Sequence, residues 1–242
     1  MEGIDTLVQW IENSSDIVAL TGAGISTSAG VPDFRGKGGL YDTLGDIADK
    51  VFDIEVFKRD PTIFYSAIGP FMESVLHAKP TKMHLLLAEI EREGKLKAVI
   101  TQNVDILHQK AGSKKVIELH GSFAKGFCIS CGKMFHYEEI LQIKGDNIVP
   151  HCQCGGVIKP DVVFFGEPVK DIDLALHITL SSDLLLIIGS SLVVYPAAGL
   201  PAYAPEKIAV INRDKPALLP KGSLFVQGEI ESIAEEITKR RK

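Results

Sequence analysis

Apolar residues along the chain follow two patterns, short continuous runs and positions at helical spacing, and the two patterns alternate. Continuous runs predict strands buried on both faces of a parallel sheet. They occupy residues 17–20, 96–100, 116–119, 160–168, 184–188 and 207–211. Helical spacing predicts helices at residues 4–12, 82–93, 171–181 and 229–239. This alternation predicts an α/β fold.

Two stretches interrupt the alternation and predict insertions. Residues 37–80 have no clear strand pattern, and their short helical patterns and aromatic residues predict a helical insertion whose rings form a core. The second interruption follows residue 121 and contains all four cysteines of the chain.

The cysteines form two closely spaced pairs, Cys128-x-x-Cys131 and Cys152-x-Cys154, beside glycines that permit tight turns. Four thiolates from two such turns suit tetrahedral Zn²⁺, so we predict one structural zinc ion rather than four unrelated cysteines. The second pair is closer in sequence than is usual, which leaves His151 open as a replacement for one sulfur. A site with four protein ligands has no position for substrate, so we assign it to stability.

The stretch LTGAGISTSAGVPDFRG at residues 20–36 follows the first predicted strand. Gly22 and Gly24 allow close approach of the backbone to a ligand, and the start of a following helix would seat a pyrophosphate. The usual dinucleotide fingerprint has a third glycine where this chain has Thr27. Glycine turns also occur without ligands, and Asp33 and Arg35 can pair on an ordinary surface loop. The stretch alone therefore leaves two interpretations open, a nucleotide-binding turn and an ordinary surface loop.

Polar residues follow the ends of several predicted strands, where open parallel sheets bind ligands. These residues are Gln102, Asn103, Asp105, His120, Gly189, Ser190, Ser191, Asn212, Arg213 and Asp214. By itself His120 could be structural, and the polar residues at 102–105 could cap the helix that includes Leu107. The strand ends at residues 102–105 and at His120, together with the glycine turn, favour a binding site at one edge of the sheet.

Composition narrows the classes of function. With 242 residues, 45% of them hydrophobic and 24% charged, the chain can bury a core in one large domain or in one large and one small domain. The formal charge of −5 disfavours broad nucleic-acid binding, and the basic residues 239–242 are most simply a solvated tail. No apolar run approaches the about 20 residues of a membrane span, and the first residues lack a signal-peptide pattern. We expect a soluble, cytoplasmic protein.

Taken in chain order, GAGISTSAGVPDFRG, TQNVD, ELHGS, the cysteine pairs, VVFFGE, GSSLVVYP and the strand end at Asn212 resemble the sirtuins, the NAD-dependent protein-lysine deacylases. The resemblance runs from about the first strand to the last helix. It implies a Rossmann-like NAD-binding domain of residues 1–36, 81–121 and 160–242. It also implies a smaller domain made of a helical module, 37–80, and a zinc module, 122–159, with NAD and an acylated peptide meeting between the domains.

The resemblance further implies roles for individual residues. Catalysis would rest on His120, Asn103 and Asp105. The residues expected to contact NAD are Gly22, Ala23, Gly24, Thr27, Phe34, Arg35, Gln102, Asn103, Val104, Asp105, His120, Gly189, Ser190, Ser191, Asn212, Arg213, Asp214 and Ile230. Among them, Val104 and Asp105 would hold the nicotinamide carboxamide and Phe34 would close the pocket. The peptide would bind as an added strand through Val163, Phe165, Gly166 and Val194.

The implied reaction transfers the acetyl group of acetyl-lysine to ADP-ribose and releases nicotinamide, which we expect to inhibit the enzyme. The amide oxygen of the substrate is a weak nucleophile, so positioning and exclusion of water must supply much of the rate. His120, with an ordinary histidine pKa of about 6.5, is suited to take a proton from a ribose hydroxyl. The substrates would be acetylated proteins of chromatin, with a role in transcription regulation, or of metabolism.

One departure from a family pattern bears on the acyl group. Sirtuins that prefer acidic acyl groups carry Tyr-x-x-Arg in the helical module, whereas this chain has Tyr65 followed by Ile68. Without that cation we predict deacetylation, with longer apolar acyl groups tolerated. The cysteine spacing and the adenine end at residues 226–229 match the family less closely.

Two alternatives stay open from the sequence. One is an NAD-dependent protein mono-ADP-ribosyltransferase that uses the same pocket. The other is a zinc-containing module that senses NAD or binds nucleic acid without turnover. A passive module needs no general base, so His120 disfavours it, and the acidic net charge disfavours nucleic acid.

Overall fold

Six parallel strands form the central sheet in the part of the chain that the structure describes, residues 3–34, 36, 38–205 and 207–241 of a computed structural model. The strands of the molecule are β1 Ile17–Thr21, β2 Leu96–Thr101, β3 Val116–Glu118, β4 Gly121–Cys128, β5 Met134–His136, β6 Ile158–Val162, β7 Leu184–Ile188, β8 Ile208–Asn212 and β9 Leu224–Gln227. The α-helices are α1 Ile4–Asn13, α2 Leu40–Leu44, α3 Ala48–Val51, α4 Ile54–Arg59, α5 Thr62–His77, α6 Lys82–Arg92, α7 Leu107–Ala111, α8 Tyr137–Lys144, α9 Ile172–Leu180 and α10 Ile230–Arg240. Among the helices described, none has both the length and the apolar character needed to cross a membrane.

The strand order of the central sheet is β3-β2-β1-β7-β8-β9, and each neighbouring pair runs parallel. The chain builds outward from β1 to β3 and later returns to the other side of β1, where it builds outward to β9. Connections on the two sides of the β1/β7 pair therefore diverge. Such a switch in direction opens a crevice at the carboxyl ends of the strands, where open α/β sheets bind ligands.

Both faces of the central sheet are covered, which explains the continuous apolar runs in its strands. Every residue of β1 and β7 is buried. On one face α1, α6 and α10 contribute Leu7, Leu86 and Ile233 to the core. On the other face α9 and the 3-10 helix Ala197–Tyr203 contribute Ala175 and Leu200. The predicted α/β fold with a parallel sheet is confirmed.

The smaller part of the molecule contains an antiparallel sheet and the helical insertion. The order of this small sheet is β5-β4-β6, and α8 packs on it through Ile140. Helices α2 to α5 form the insertion, in which Phe57 and Phe64 are fully buried. Phe164, just after β6, lies 5.4 Å from the Phe57 ring, centroid to centroid, in an edge contact. One aromatic core thus joins the helical insertion to the chain that leaves the small sheet.

The prediction that residues 160–168 form a strand of the parallel sheet is wrong. The strand β6 ends at Val162 and pairs antiparallel with β4 in the small sheet. Beyond it the chain turns, because the Phe164 amide donates to Glu167 Oε2 at 2.8 Å and Gly166 has a φ of 92°. Residues 160–162, which the sequence assigned to the larger domain, therefore pair with the small sheet. The remaining domain boundaries stay predictions.

The helix predicted directly after the glycine turn is also wrong. The chain instead makes two short 3-10 turns, Ala23–Ile25 and Thr27–Ala29. Gly30 then ends the second turn in the left-handed region, with a φ of 83°. Without a full helix, the local dipole that was expected to favour a pyrophosphate is reduced, and the site relies on individual backbone and side-chain groups.

Candidate functional site

A cavity of about 730 Å³ lies at the carboxyl ends of the central strands, bordered by the chain that follows β6. Of the residues predicted to contact NAD, its walls include Gly22, Ala23, Gly24, Thr27, Phe34, Gln102, Asn103, Val104, His120, Gly189, Ser190, Ser191, Asn212, Arg213, Asp214 and Ile230. The predicted substrate residues Val163, Phe165, Gly166 and Val194 also line it. Arg35 lies outside the described residues. Asp105 is buried, and its side chain is not part of the described wall.

The glycine turn packs directly against the turn that follows β7. The Gly22 amide donates to Ile188 O at 3.0 Å, and the Gly24 amide donates to Gly189 O at 2.9 Å. A Cβ atom on Gly24 would lie 2.8 Å from Gly189 Cα, closer than van der Waals contact allows. Gly189 itself has a φ of 64°. Glycine is therefore required at these positions by the contact between two backbones, in addition to any ligand.

Ser190 links three strand ends at the floor of the cavity. Its hydroxyl oxygen accepts from Gln102 Nε2 at 3.0 Å, and its carbonyl accepts from Asn212 Nδ2 at 3.1 Å. The ends of β2, β7 and β8 are thereby fixed relative to one another. These side chains suit hydrogen bonds to ribose hydroxyls or phosphate oxygens.

Asn103 is held by a buried hydrogen-bond network. Its Nδ2 donates to Gly22 O at 3.2 Å and to Ser26 Oγ at 3.1 Å. The Ser26 hydroxyl in turn donates to Asp105 Oδ2 at 2.6 Å, and Asp105 Oδ1 accepts from the Leu107 amide at 2.9 Å. Since both amide protons are used, Asn103 Oδ1 is the atom left to accept from a ligand.

Asp105 supports Asn103 from behind the cavity wall. Burial raises the pKa of its carboxyl, while the hydrogen bond from Ser26 opposes this shift. Ser26 was not predicted from the sequence, although it lies within the glycine-rich stretch. Its role follows only from the approach of that stretch to the end of β2.

A second row of buried groups supports Asn103 from its backbone. The Asn103 amide donates to Thr101 Oγ1 at 3.0 Å, and Thr101 Oγ1 accepts from Thr21 Oγ1 at 2.9 Å. Thr21 Oγ1 also lies 2.9 Å from His108 Nε2. Because the Thr21 hydroxyl has only one proton and gives it to Thr101, His108 must donate from Nε2–H. His108 Nδ1 is then an acceptor, and it has no hydrogen-bond partner among the described residues.

His120 follows β3 and faces the cavity. Its Nδ1 lies 2.9 Å from Gln102 O, and because a carbonyl only accepts, Nδ1 must be the protonated nitrogen. Nε2 therefore carries the free lone pair. Burial lowers the pKa of His120 below its usual value, so the imidazole is neutral at pH 7. A neutral imidazole with a fixed tautomer is suited to accept a proton from a ligand.

Aromatic rings form the wall of the cavity opposite the polar strand ends. The Phe34 ring lies 5.7 Å from Phe52 and 5.9 Å from Phe71, centroid to centroid. Ile68 is fully buried. The Tyr65 hydroxyl donates to Ile158 O, and burial raises the pKa of this phenol. Neither Tyr65 nor Ile68 offers a group that would bind an acidic acyl chain.

The chain after β6 forms one side of the cavity mouth. The Phe165 amide donates to Phe52 O at 2.7 Å, and Phe165 O accepts from the Ile54 amide at 3.2 Å. These bonds fix an extended segment through its own backbone. The Phe165 side chain is half exposed, and Tyr195 across the cavity is also exposed.

The four cysteine sulfurs converge at the far end of the small sheet, and all four lie within 4.8 Å of one another. The Sγ atoms of Cys128 and Cys154 are 3.5 Å apart, and those of Cys131 and Cys152 are 3.8 Å apart. Tetrahedral zinc with Zn–S bonds of about 2.3 Å places neighbouring sulfurs about 3.8 Å apart, so the cluster fits this ion. The separations are too long for disulfides, and all four thiols are free.

Tight turns bring each cysteine pair into position. The Gly132 amide donates to Cys128 O at 2.9 Å, and the Gly155 amide donates to Cys152 O at 2.8 Å. A Cβ atom on Gly156 would lie 2.6 Å from Cys128 Sγ, so a side chain there would collide with a ligand atom. His151 is outside the cluster, and its Nδ1 lies 3.1 Å from Val149 O. The four cysteines, without His151, form the candidate zinc site.

Several residues of the cavity wall were not predicted from the sequence. They include Asp33, Tyr41, Phe52, Tyr195, Lys215 and Glu231. Most lie in loops or in the helical insertion, away from strand ends. Asp33 and Tyr195 lie in two of the quoted motifs, GAGISTSAGVPDFRG and GSSLVVYP, and could have been proposed from them.

Comparisons with known proteins agree with this geometry. A protein deacetylase dependent on NAD from Saccharolobus solfataricus is 46% identical over 223 residues, covering 90% of this chain and 89% of that relative. The corresponding deacetylase of Thermotoga maritima is 45% identical over 201 residues, covering 81% and 80% of the two chains. An NAD-dependent protein deacylase of Pyrococcus furiosus is 40% identical, covering 96% and 97%.

Solved structures give the same result. A Sir2 structure with a deacetylated p53 peptide and 3′-O-acetyl-ADP-ribose has a TM-score of 0.91 at 36% identity, and 98% of each chain is covered. A structure of Sir2Tm bound to a propionylated peptide has a TM-score of 0.88 at 36% identity, covering 99% of this chain and 98% of that one. The family model described as Sir2 family matches residues 22–196. The chain therefore belongs to the Sir2 family.

Proposed function

We propose that this protein is an NAD-dependent protein-lysine deacetylase, which transfers the acetyl group of acetyl-lysine to ADP-ribose and releases nicotinamide. The observation that carries the proposal is one cavity that joins a glycine turn, the Asn103 amide and a neutral His120 with a fixed tautomer. The names of the relatives, all NAD-dependent deacetylases or deacylases, support it.

NAD fits the polar side of the cavity. Ser190, Gln102 and Asn212 would bind ribose and phosphate oxygens, and the glycine turn would lie against the pyrophosphate. Val104 would contact the nicotinamide carboxamide, and Phe34 would cover the ring. We expect Asp105, proposed from the sequence as a direct contact, to orient Asn103 through the hydroxyl of Ser26. Ile230 and the residues at 212–214 would contact the adenosine end.

The chain's residues act on the reaction mainly through position and proton transfer. Loss of nicotinamide leaves a cationic ribose carbon, which the acetyl oxygen of the substrate attacks. Asn103 Oδ1 would orient groups at that ribose, and His120 Nε2 would accept the proton of the ribose hydroxyl that takes the acetyl group. The Phe34, Phe52 and Phe71 cluster would exclude water.

The second substrate is an acetylated peptide bound as an added strand between residues 163–166 and Val194. The apolar wall and the absence of a cation at Ile68 favour acetyl and longer apolar acyl groups over acidic ones. We also propose that nicotinamide inhibits turnover. Four free thiols grouped as a metal site favour a reducing compartment, and hence the cytoplasm. Acetylated proteins with roles in transcription are one class of substrate.

The zinc ion would have no part in the chemistry. Four cysteine ligands complete its coordination, and the cluster lies at the opposite end of the small sheet from the cavity residue Val162. Its proposed role is to hold β4 and β6 together.

The decisive experiment measures nicotinamide release from NAD with an acetyl-lysine peptide and with the same peptide unacetylated. We expect release only with the acetylated peptide, in equal amount to acetyl-ADP-ribose. His120→Ala should lower the rate about 100-fold or more, because the base for the ribose proton is removed.

The exposed His77 provides a matched control, and His77→Ala should retain the parent rate. Nicotinamide release at the same rate with the unacetylated peptide would instead support ADP-ribosyl transfer. A His120→Ala rate equal to the parent rate would remove His120 from its proposed role.

A further inference from the structure

A fully buried lysine lies beside the segment that forms the proposed peptide side of the cavity. Lys159, on β6, is only 1% exposed. Its Nζ lies 2.9 Å from Glu167 Oε2 and donates to Val162 O at 2.6 Å. A buried ammonium group is rarely found without partners, and an apolar side chain of similar length would fill the same space without a desolvation cost. The ion pair therefore requires an explanation beyond packing.

Lys159 and Glu167 both contact Phe164, Lys159 at its ring and Glu167 at its backbone amide. Lys159 Nζ lies 4.0 Å from the centroid of the Phe164 ring. Glu167 Oε2, the same oxygen that pairs with Lys159, accepts from the Phe164 amide at 2.8 Å. The Phe164 ring is buried in the aromatic core of the helical insertion. Both its ring and its backbone are thus tied to one ion pair.

Phe164 determines how its neighbours face the cavity. In an extended segment successive side chains point to opposite sides, so a Phe164 ring held in the core turns Val163 and Phe165 toward the other side. All three residues border the cavity, but Phe164 is 1% exposed whereas Phe165 is 49% exposed. The Val163 amide donates to His120 O at 2.9 Å, so this segment is also joined to the strand end that carries the proposed base.

We propose that Lys159 and Glu167 are positioning residues that hold residues 163–165 in the extended form that receives the acylated peptide. The pair then controls binding of the peptide and leaves binding of NAD largely unchanged, because the polar NAD side of the cavity is built from other strand ends. The inference rests on the proposed function, since it requires a peptide as second substrate.

The test compares Lys159→Met, Lys159→Arg and Glu167→Gln with the parent in steady-state deacetylation. Lys159→Met should raise KM for the acetylated peptide about tenfold or more, with KM for NAD changed less than about twofold. Lys159→Arg keeps the charge and should recover part of the loss. Combining Lys159→Met with Glu167→Gln should add little to the single change, because one interaction is removed in both cases.

Hydrogen exchange of the fragment that spans residues 163–167 gives a second measurement that needs no activity. Lys159→Met should lose protection of the Phe164 amide while the central strands stay protected. Lys239→Met is the matched control, because it removes an exposed Lys–Glu pair on α10. If Lys159→Met does not fold, Glu167→Gln alone takes its place in both measurements.

The outcomes separate the inference from the proposed function. A folded variant with unchanged peptide KM, or with peptide KM, NAD KM and kcat all impaired alike, overturns the positioning role while acetyl-dependent release by the parent protein stands. Unchanged exchange at Phe164 overturns it as well. If the parent protein releases nicotinamide without regard to the acetylated peptide, the proposed function fails, and the peptide role of the pair fails with it.

Discussion

At the scale of single residues, the site consists of side chains with one end fixed and the other end facing the cavity. Asn103 donates hydrogen bonds from both amide protons to other groups of the protein, and His120 donates one from Nδ1–H to a backbone carbonyl. Each is left with one acceptor, Oδ1 and Nε2. Groups oriented in this way need no rearrangement when a ligand binds, which is the condition for electrostatic preorganisation.

The buried pair His84 and His108 lies under this site, with ring centroids 4.6 Å apart. His84 Nδ1 accepts from the Thr81 amide at 3.2 Å, so its proton is on Nε2. That Nε2–H and the His108 Nδ1 acceptor have no partners among the described residues, although the two atoms are complementary. Both imidazoles are therefore held neutral in an environment that a proton would disrupt.

The pair should make the protein sensitive to acid. Burial lowers the pKa of His84 to about 2 and of His108 to about 3, whereas an unfolded chain protonates histidine near pH 6.5. Below pH 6.5 both histidines are protonated in the unfolded state but stay neutral in the folded state. The free energy of unfolding therefore falls as pH falls. The slope is about 1.4 kcal/mol per pH unit for each histidine. Urea unfolding at pH 7 and pH 5 measures it.

The variant His84→Gln isolates one half of this effect. Glutamine at this position of a capping box can replace the bond to Thr81 but does not titrate. We expect the variant to lose part of the pH dependence, whereas His77→Gln, at an exposed histidine, should keep all of it. Equal slopes in parent and His84→Gln would show that the imidazole is protonated in the folded state.

At the scale of elements, the contact between the turns after β1 and β7 is the most constrained part of the site. Gly24→Ala would place a Cβ atom 2.8 Å from Gly189 Cα and 2.9 Å from Gly189 O. Backbone atoms cannot move aside as a flexible side chain can, so we expect a loss of about 1–3 kcal/mol in the free energy of unfolding. Weaker NAD binding should accompany it. Chemical denaturation and calorimetric titration measure the two effects.

Gly199→Ala is the control for this substitution. Its Cβ atom would lie 3.5 Å from the nearest atom, Tyr195 Cε1, an ordinary contact. Stability should stay within about 0.5 kcal/mol of the parent, as for most substitutions away from special positions. If Gly24→Ala were equally mild, the two turns would have more freedom than the distances indicate.

Five of the six strands of the central sheet could be predicted because their apolar runs are local, whereas the edge strand β9 was not predicted. Residues 184–188 read as a buried strand, and the strand has those bounds. Helices with clear apolar spacing, such as α1 and α10, begin and end within about two residues of the prediction, the usual uncertainty at helix ends. The strand ends then located part of the cavity wall, since parallel strands bring their carboxyl ends to one edge.

The remaining elements could not be predicted because their partners are distant in sequence. The apolar run from residue 160 resembles a parallel strand, but Val162 pairs with Gly121 in the small sheet. The strands β4 and β5 and the helix α8 have weak apolar patterns, and they pack around the cysteine cluster. Ser26 binds Asp105 across a long sequence separation, so its place in the site emerges only when β1 and β2 pair.

At the scale of the whole molecule, the candidate zinc site and the cavity lie at opposite ends of the same two strands. Cys128 ends β4 and pairs with Ile158, while Val162 at the other end of β6 pairs with Gly121. Residues 163–166 continue directly from that end into the cavity wall. We therefore expect order in the proposed peptide segment to depend in part on the small sheet, whereas most polar groups for NAD come from the central sheet.

Removal of zinc should consequently affect the two substrates unequally. Structural zinc contributes on the order of 10 kcal/mol to folding of its module, so chelation or Cys131→Ser should disorder the small sheet. We expect acetyl-dependent nicotinamide release to be lost, while NAD affinity falls by less than about tenfold because the central sheet has its own core. Metal content, calorimetric titration of NAD and the activity assay measure these effects on one sample.

Restored zinc should recover activity in the chelated parent but not in Cys131→Ser. Full activity in a protein that has lost its metal would show that the cysteine cluster does not support the cavity, and equal loss of NAD and peptide binding would show that the two parts fold as a single unit.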